Sequence, residues 1–238
     1  MTDPSDDVLA VIPARKGSKG LPGKNIRTLH GRPLVSWSID QALAATELAV
    51  VHVSTDCEMT AVIGRDAGAD VPNLRPAHLA TDEASIFSVL EYVLDRYRVH
   101  EREFGYVMLI EPTAPLRAPD DLDRAVQILK ASAVDFDSLV TVGPMSNHPA
   151  LTKYLEDEHI FPVMPDVDPS SRRQDLRDAY FPFGVARVAK VSAYLAERTF
   201  YTRRCRGLVI DRWQSYEIDD EYDFACVEAI MRYRKGGR

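Results

Sequence analysis

Through the first 140 residues, short runs of aliphatic and β-branched residues alternate with longer stretches whose apolar positions recur every three or four residues. The first pattern fits buried strands and the second amphipathic helices, so the alternation predicts βαβ units on a mostly parallel sheet. Val8 to Ile12 reads as the first strand, and Pro33 to Ala45 as a helix opened by proline in its first turn. Val50 to Val53 reads as the second strand, followed by a helix over Cys57 to Ala67 that Gly68 closes. Ile86, Val89, Leu90, Val93 and Leu94 make an apolar stripe along a helix from Ala84 to Tyr97, and Tyr106 to Ile110 returns to the sheet. Pro119, Asp120 and Asp121 open another helix before a strand at Ser138 to Val142.

The pattern loosens after Gly143. Residues 144 to 183, rich in Pro, Asp and Arg, read as an excursion from the sheet with a hairpin near Tyr154 to Val163. Regular structure is predicted again at Gly184 to Val188, Leu208 to Ile210 and in a final helix from about Asp219 to Tyr233. No repeat or flexible linker divides the chain, so residues 1–238 are expected to form one Rossmann-like α/β domain with its excursion at 144–183.

Composition adds exclusions. With 238 residues, 45% of them hydrophobic and 27% charged, the chain can bury a substantial core and is neither collagen-like nor low-complexity. No apolar run approaches the length of a membrane helix, and a soluble protein is expected. Cys57, Cys205 and Cys226 are odd in number and widely spaced, which suits a reducing cytoplasm and offers neither a zinc framework nor a disulfide scaffold. Cys226 falls in an apolar helical pattern and reads as a core residue.

The net charge of −7 is unevenly spread. No acidic residue lies between Asp7 and Asp40, whereas Arg15, Lys16, Lys19, Lys24, Arg27 and Arg32 make that segment +6 and leave −13 for the remainder. Net acidity argues against an extended nucleic-acid footprint, while one compact basic island suits a small polyanion such as a nucleoside triphosphate. The island follows the first strand as PARKGSKGLPGKN, at the strand end where α/β sheets bind ligands. It is not a Walker A loop, because Gly17 to Gly23-Lys24 is one residue too long and Asn25 replaces the required hydroxyl. Its glycines at 17, 20 and 23 do not make GxGxxG either. What remains is a glycine-rich loop whose N–H groups approach phosphate oxygens while four cations neutralise them.

IPARKGSKGLPGKNI resembles the amino-terminal signature of the acylneuraminate cytidylyltransferases, also called CMP-sialic acid synthetases. VSTD at 53–56, LRPA at 74–77 with LATD at 79–82, EPTAPLR at 111–117, RQD at 173–175 leading to Gly184, and Ile218-Asp219 with Asp223-Phe224 occur in that family's order and approximate spacing. The resemblance therefore covers nearly the whole chain. It implies a magnesium-dependent transfer of CMP from CTP to a 2-keto-3-deoxy sugar acid, with pyrophosphate released. It also implies a homodimer in which the excursion reaches the partner's sugar site. Arg15, Lys19 and Lys24 would hold the triphosphate with Gly17 and Ser18, Asn25 would lie beside the nucleotide, and Arg75 would reach it from a second loop. Ala84 and Ser85 would line the base pocket, although Ser85 reads equally well as a helix cap.

Glu217 and Asp219 would lie on one side of an extended segment and could share a Mg2+, with Asp219 the firmer ligand because relatives carry Asp-x-Asp. Asp220 and Asp223 read instead as helix N-terminal charges. Glu111 stands where sialic acid enzymes carry a sugar-binding Gln. A carboxylate there accepts but does not donate, and it would repel a sugar carboxylate unless paired with an arginine or the metal. Phe183 replaces the family's Asn, and Arg173, Gln174 and Tyr180 are the remaining candidates for the sugar. Competing readings are a GTP-using enzyme for a legionaminic-type sugar and a nucleotide-binding module that has lost its chemistry.

Overall fold

The computed structural model describes residues 6–168 and 172–236, the side chain of Arg173 excepted. The chain opens with β1 (Val8–Pro13), and a small ribbon of β2 (Thr28–Leu29) and β3 (Arg32–Pro33) leads into helix α1 (Leu34–Ala44). Then β4 (Val50–Ser54), α2 (Glu58–Ala67), α3 (Ile86–Val99), β5 (Tyr106–Leu109), α4 (Asp121–Ala131) and β6 (Ser138–Pro144) complete the alternating part. A hairpin of β7 (Lys153–Glu156) and β8 (His159–Pro162) precedes β9 (Tyr180–Lys190), α5 (Val191–Glu197), β10 (Cys205–Val209) and α6 (Glu221–Lys235).

Six strands form one sheet in the order β10-β6-β9-β5-β1-β4. All are parallel except β9, which runs against both β5 and β6. The alternation along β1 explains the layers. Val8, Ala10 and Ile12 pack with Val35 and Ile39 of α1 and with Leu122 and Val126 of α4. Leu9 and Val11 face the other way, toward Phe87, Leu90 and Val93 of α3 and Tyr194 of α5. A third cluster joins Leu21 of the basic loop to Leu34, Leu116, Ile218 and Phe224, so α6 is seated against that loop.

Several expectations need correction. Pro33 lies one residue outside α1 as its cap, with φ −53°. β9 begins at Tyr180, so 180–183, assigned to the excursion, are already in the sheet and pair with Val142 to Pro144. Its register shifts between Val140 and Val142, where the Thr141 hydroxyl donates to the Phe183 carbonyl at 2.6 Å and accepts from the Ala186 N–H at 3.1 Å. Glu217 and Asp219 belong to no strand. Cys226 is exposed, because the buried stripe of α6 runs through Phe224, Val227 and Met231. Among the described residues no helix is long and apolar enough to cross a membrane.

On the outer side of β4, His52 is 7% exposed and its Nδ1 lies 3.1 Å from the Tyr97 hydroxyl, which donates to Asp70. Burial pushes the imidazole down to about 4. The folded chain thus keeps His52 neutral to about pH 4, whereas the unfolded chain protonates it near 6.5. Between those values the unfolded state binds the extra proton, so acidification through this window removes stability. Urea unfolding of wild type should lose about 3 kcal/mol more between pH 7 and 4 than that of His52→Leu. Equal pH slopes for the two proteins would contradict it.

Candidate functional site

The basic loop leaves β1 at the carboxyl ends of the parallel strands and is tied down at several points. The Thr55 hydroxyl donates to the Ala14 carbonyl at 2.6 Å, and the Lys16 N–H donates to Asp56 at 2.7 Å. The Asn25 amide donates to the Arg15 carbonyl at 3.0 Å, which folds the loop back on its own start. Gly23 has φ +68°, the left-handed turn that a residue with a Cβ rarely adopts, and it caps the short helix Lys24–Ile26. Gly20 approaches Asp219 so closely that a Cβ would lie 2.3 Å from the Asp219 carbonyl oxygen.

The loop's cations already have anionic partners. Lys24, whose side chain is 11% exposed, donates to the Ile218 carbonyl at 2.6 Å and lies 3.2 Å from the Asp219 carboxylate. Arg15 and Lys19 converge on Asp82 at 2.6 and 2.9 Å. Their hydrogen bonds, that of Lys19 first, hold the Asp82 carboxyl below its ordinary range. A cleft of about 190 Å³ opens here, lined by Arg15, Gly17, Ser18, Lys24, Asn25 and Glu111, among others. A larger cavity of about 440 Å³ lies at the opposite end of the sheet around Phe104, Tyr106 and Val191. The smaller cleft is the candidate site, because ligands of such sheets sit at carboxyl strand ends and polyanions need converging cations.

Behind the cleft lies a buried charged junction. Arg117 donates to the Val185 carbonyl at 2.7 Å, to the Glu111 and Gly184 carbonyls at 2.8 and 3.0 Å, and to Ser38 and Gln41 of α1. Burial lowers its guanidinium to about 10, still charged at neutral pH. The Glu111 carboxylate lies 3.0 Å from Arg187 and packs against Gly184, where a Cβ would meet it at 2.0 Å. The Gly184 N–H donates to Glu217. Burial pushes the Glu217 carboxyl up, the Gly184 N–H opposes this, and the Glu111 charge adds to it.

The cleft therefore gathers six predicted residues: Arg15, Gly17, Ser18, Lys24, Asn25 and Glu111. Lys19 joins them through Asp82, and Asp219 and Glu217 flank them through Lys24 and Gly184. Glu111 pairs with an arginine, one of the two partners expected for it. Arg75 is buried. It is 7% exposed, donates to the Ser54 hydroxyl and carbonyl and to the Leu79 carbonyl, and is lowered to about 10 by burial. Ser85 caps α3 by accepting from the Ser88 N–H, and Ala84 is half-buried beside it.

Asp220 accepts from the Tyr222 and Asp223 N–H groups, and Asp223 from the Asp219 N–H, so both are helix-terminal charges as predicted. Gln174 and Tyr180 are exposed on and beside the excursion, Phe183 packs against Phe181 at 5.2 Å, and the side chain of Arg173 lies outside the described residues. Sequence reasoning assigned no role to Asp82, Arg117 or Arg187. The first two stood inside quoted motifs, while Arg187 is one charge between apolar neighbours with nothing to mark it.

Among the described residues no group of three or more His, Cys, Asp or Glu could hold a metal unaided. Asp219 and Glu217 still suit Mg2+, which takes one or two carboxylates and completes its shell with water and substrate phosphates.

The chain matches the family model described as Cytidylyltransferase over residues 9–232. It is 32% identical over 231 residues to the CMP-N,N'-diacetyllegionaminic acid synthase of Legionella pneumophila subsp. pneumophila, covering 94% of this chain and 96% of that one. It is 33% identical over 221 residues to an N-acylneuraminate cytidylyltransferase of Streptococcus agalactiae serotype V, covering 92% of this chain and 52% of that protein. The chain thus spans about half the length of the streptococcal relative. In fold it is similar to a CMP:2-keto-3-deoxy-manno-octonic acid synthetase complexed with CTP, with a TM-score of 0.68 at 17% identity over 96% of this chain and 99% of that one.

The packing of Gly20 on Asp219 gives a direct test. Gly20→Ala should lower stability in urea by about 1–3 kcal/mol, because backbone must shift to admit the methyl group. A Cβ on Gly17 meets nothing within 4 Å, and Gly17→Ala should stay within about 0.5 kcal/mol of wild type. Equal effects of the two substitutions would refute the seating of the loop on residue 219.

Proposed function

Because this chain belongs to the cytidylyltransferase family, we propose that it activates a 2-keto-3-deoxy sugar acid of the nonulosonic kind with CTP, giving a CMP-sugar and pyrophosphate. The observation that carries this reading is the cleft at the end of β1 that Arg15 and Lys24 line, with Lys19 joined to Arg15 through Asp82 and the Asp219 carboxylate on Lys24. The names of the relatives support the substrate class, and the free cysteines at 57, 205 and 226 suit work in a reducing cytoplasm.

The anomeric hydroxyl of the sugar acid attacks the α-phosphorus of CTP. A new phosphorus–oxygen bond forms there as the bond to the bridging oxygen breaks, the hydroxyl proton passes to solvent water, and pyrophosphate leaves. Arg15 and Lys19 neutralise the departing phosphates, with N–H groups around Gly17 and Ser18 close to their oxygens. Lys24 sits between those phosphates and Asp219, and Asn25 keeps the loop folded beside the nucleotide. Ala84 and Ser85 border the base, and Arg75 reaches the nucleotide from the second loop. Asp219 with Glu217 would hold Mg2+, which when bound supplies Lewis-acid stabilisation of the charge developing on the phosphates. The rest of the catalysis is positioning, with no covalent protein intermediate.

The sugar lies toward Glu111, whose pairing with Arg187 relieves the repulsion that a bare carboxylate would exert on a sugar carboxylate. Arg173, Gln174, Tyr180 and Phe183 complete that side. The hairpin supports a homodimer: Tyr154, Leu155, Ile160 and Phe161 are 56%, 73%, 69% and 47% exposed on a two-stranded unit that is marginal alone. A second copy covers it and brings the excursion to the partner's sugar site.

Pyrophosphate release, measured for CTP and GTP against 2-keto-3-deoxyoctonic, sialic, legionaminic and pseudaminic acids, should show turnover with CTP and one nine-carbon acid. No turnover with any pair, despite tight CTP binding, would favour a non-catalytic module, and turnover with GTP alone would reassign the base. Asp219→Ala should lower Mg2+-dependent kcat by about 100-fold or more with the fold intact, and full activity would remove the metal assignment. Light scattering at micromolar concentration should give a dimer that Leu155→Asp with Ile160→Asp dissociates. A monodisperse wild-type monomer would contradict the dimer.

A further inference from the structure

Asp82 has no part in the reaction as drawn, yet it engages two of the three cations on which the reaction depends. Its two oxygens are divided between them, one on Arg15 at 2.6 Å and the other on Lys19 at 2.9 Å. One phosphate group would meet the same two donors in the same way, an oxygen to each. A polyphosphate that takes the donors of Arg15 and Lys19 now on Asp82 replaces that carboxylate, because two anions held side by side on one pair of cations repel each other.

The fold builds this contact from both sides. Residues 75–82 are anchored by the buried guanidinium of Arg75, which donates to Ser54 and to the Leu79 carbonyl, and by the Arg75 N–H, which donates to the Thr55 carbonyl at 2.7 Å. The start of the basic loop hangs from the same two residues: the Ala14 N–H donates to the Ser54 carbonyl at 2.9 Å, and Thr55 donates to the Ala14 carbonyl. Asp82 and Arg15 thus share the end of β4 as a common support, which sets their approach. At the contact itself the groups remain open to water, Asp82 being 42% and Lys19 79% exposed in the side chain. Open ion pairs of this kind are worth little and exchange readily.

We infer that Asp82 is a positioning residue that serves as a resident anion: it holds Arg15 and Lys19 until a polyphosphate displaces it, and it returns to expel pyrophosphate. The inference rests on the triphosphate reading above. While Asp82 is in place, the loop keeps its charges converged without a ligand, at the cost of competing with every ligand that arrives. The same competition hastens release of the product, which is held by the same cations.

Calorimetric titration of inorganic pyrophosphate and of CTP into wild type, Asp82→Asn and Asp82→Glu tests this. Asp82→Asn should bind both ligands roughly two- to tenfold more tightly, the range expected for removal of two exposed competing pairs. Steady-state kinetics should show a matching fall in the KM for CTP and in the pyrophosphate inhibition constant, with no rise in kcat. Asp82→Glu, which restores the charge, should return these values toward wild type. Unchanged or weaker binding by Asp82→Asn, with wild type binding normally, would overturn the resident-anion role and leave a strut. Failure of wild type to bind either ligand would overturn the triphosphate reading, and this inference with it.

Discussion

The ammonium of Lys24 joins two ends of the chain that are 194 residues apart in sequence. It lies beneath the basic loop and donates to the Ile218 carbonyl, with Asp219 beside it. Through this group the loop that follows the first strand and the segment that precedes the last helix become one surface. Gly20 on the Asp219 carbonyl and Leu21 in the cluster with Ile218 and Phe224 extend the same contact with shape and apolar burial. Without that seating, the loop's cations and the carboxylates at 217 and 219 would have no fixed relation.

A concentration of positive charge is costly in a folded chain, and this protein offsets it locally. Asp56 takes a loop N–H, Asp82 takes Arg15 and Lys19, and Asp219 takes Lys24. Deeper in, Arg117 and Arg187 face Glu111 and Glu217 around Gly184. Arg117 also donates to carbonyls of the turn after β5 and of the reversed strand β9, and so ties the two together. The reversal of β9 brings the chain back into the sheet at the end where the cleft lies, so the excursion projects from that same end.

Much of this was legible in the sequence where the determinants are local. α2 and α3 matched their predicted spans to within two residues, because an apolar stripe on one face and a closing Gly68 or opening Ser85 are sequence-adjacent signals. The loop was legible for the same reason, its glycines and cations lying side by side. What escaped depends on partners far along the chain. β9 begins earlier than read because Tyr180 to Pro182 pair with Val142 to Pro144, a contact no short window reveals. Arg75 is legible as a cation of the second loop, and only the fold shows its donors on Ser54 and Leu79. Cys226 follows an apolar pattern, but the true buried stripe of α6 passes it by. The seven-residue α5 is too short to carry a period.

The central claim is that cations of the first loop and carboxylates of the last segment act together on a triphosphate. Phosphorus NMR of the protein with CTP, Mg2+ and the accepted sugar acid observes that chemistry directly. The account predicts a new phosphodiester signal and a pyrophosphate signal that grow in equal molar amounts as CTP is consumed. Orthophosphate in place of pyrophosphate, or a pyrophosphate signal with no phosphodiester, would show that the protein hydrolyses the nucleotide instead of transferring it, and would contradict the account.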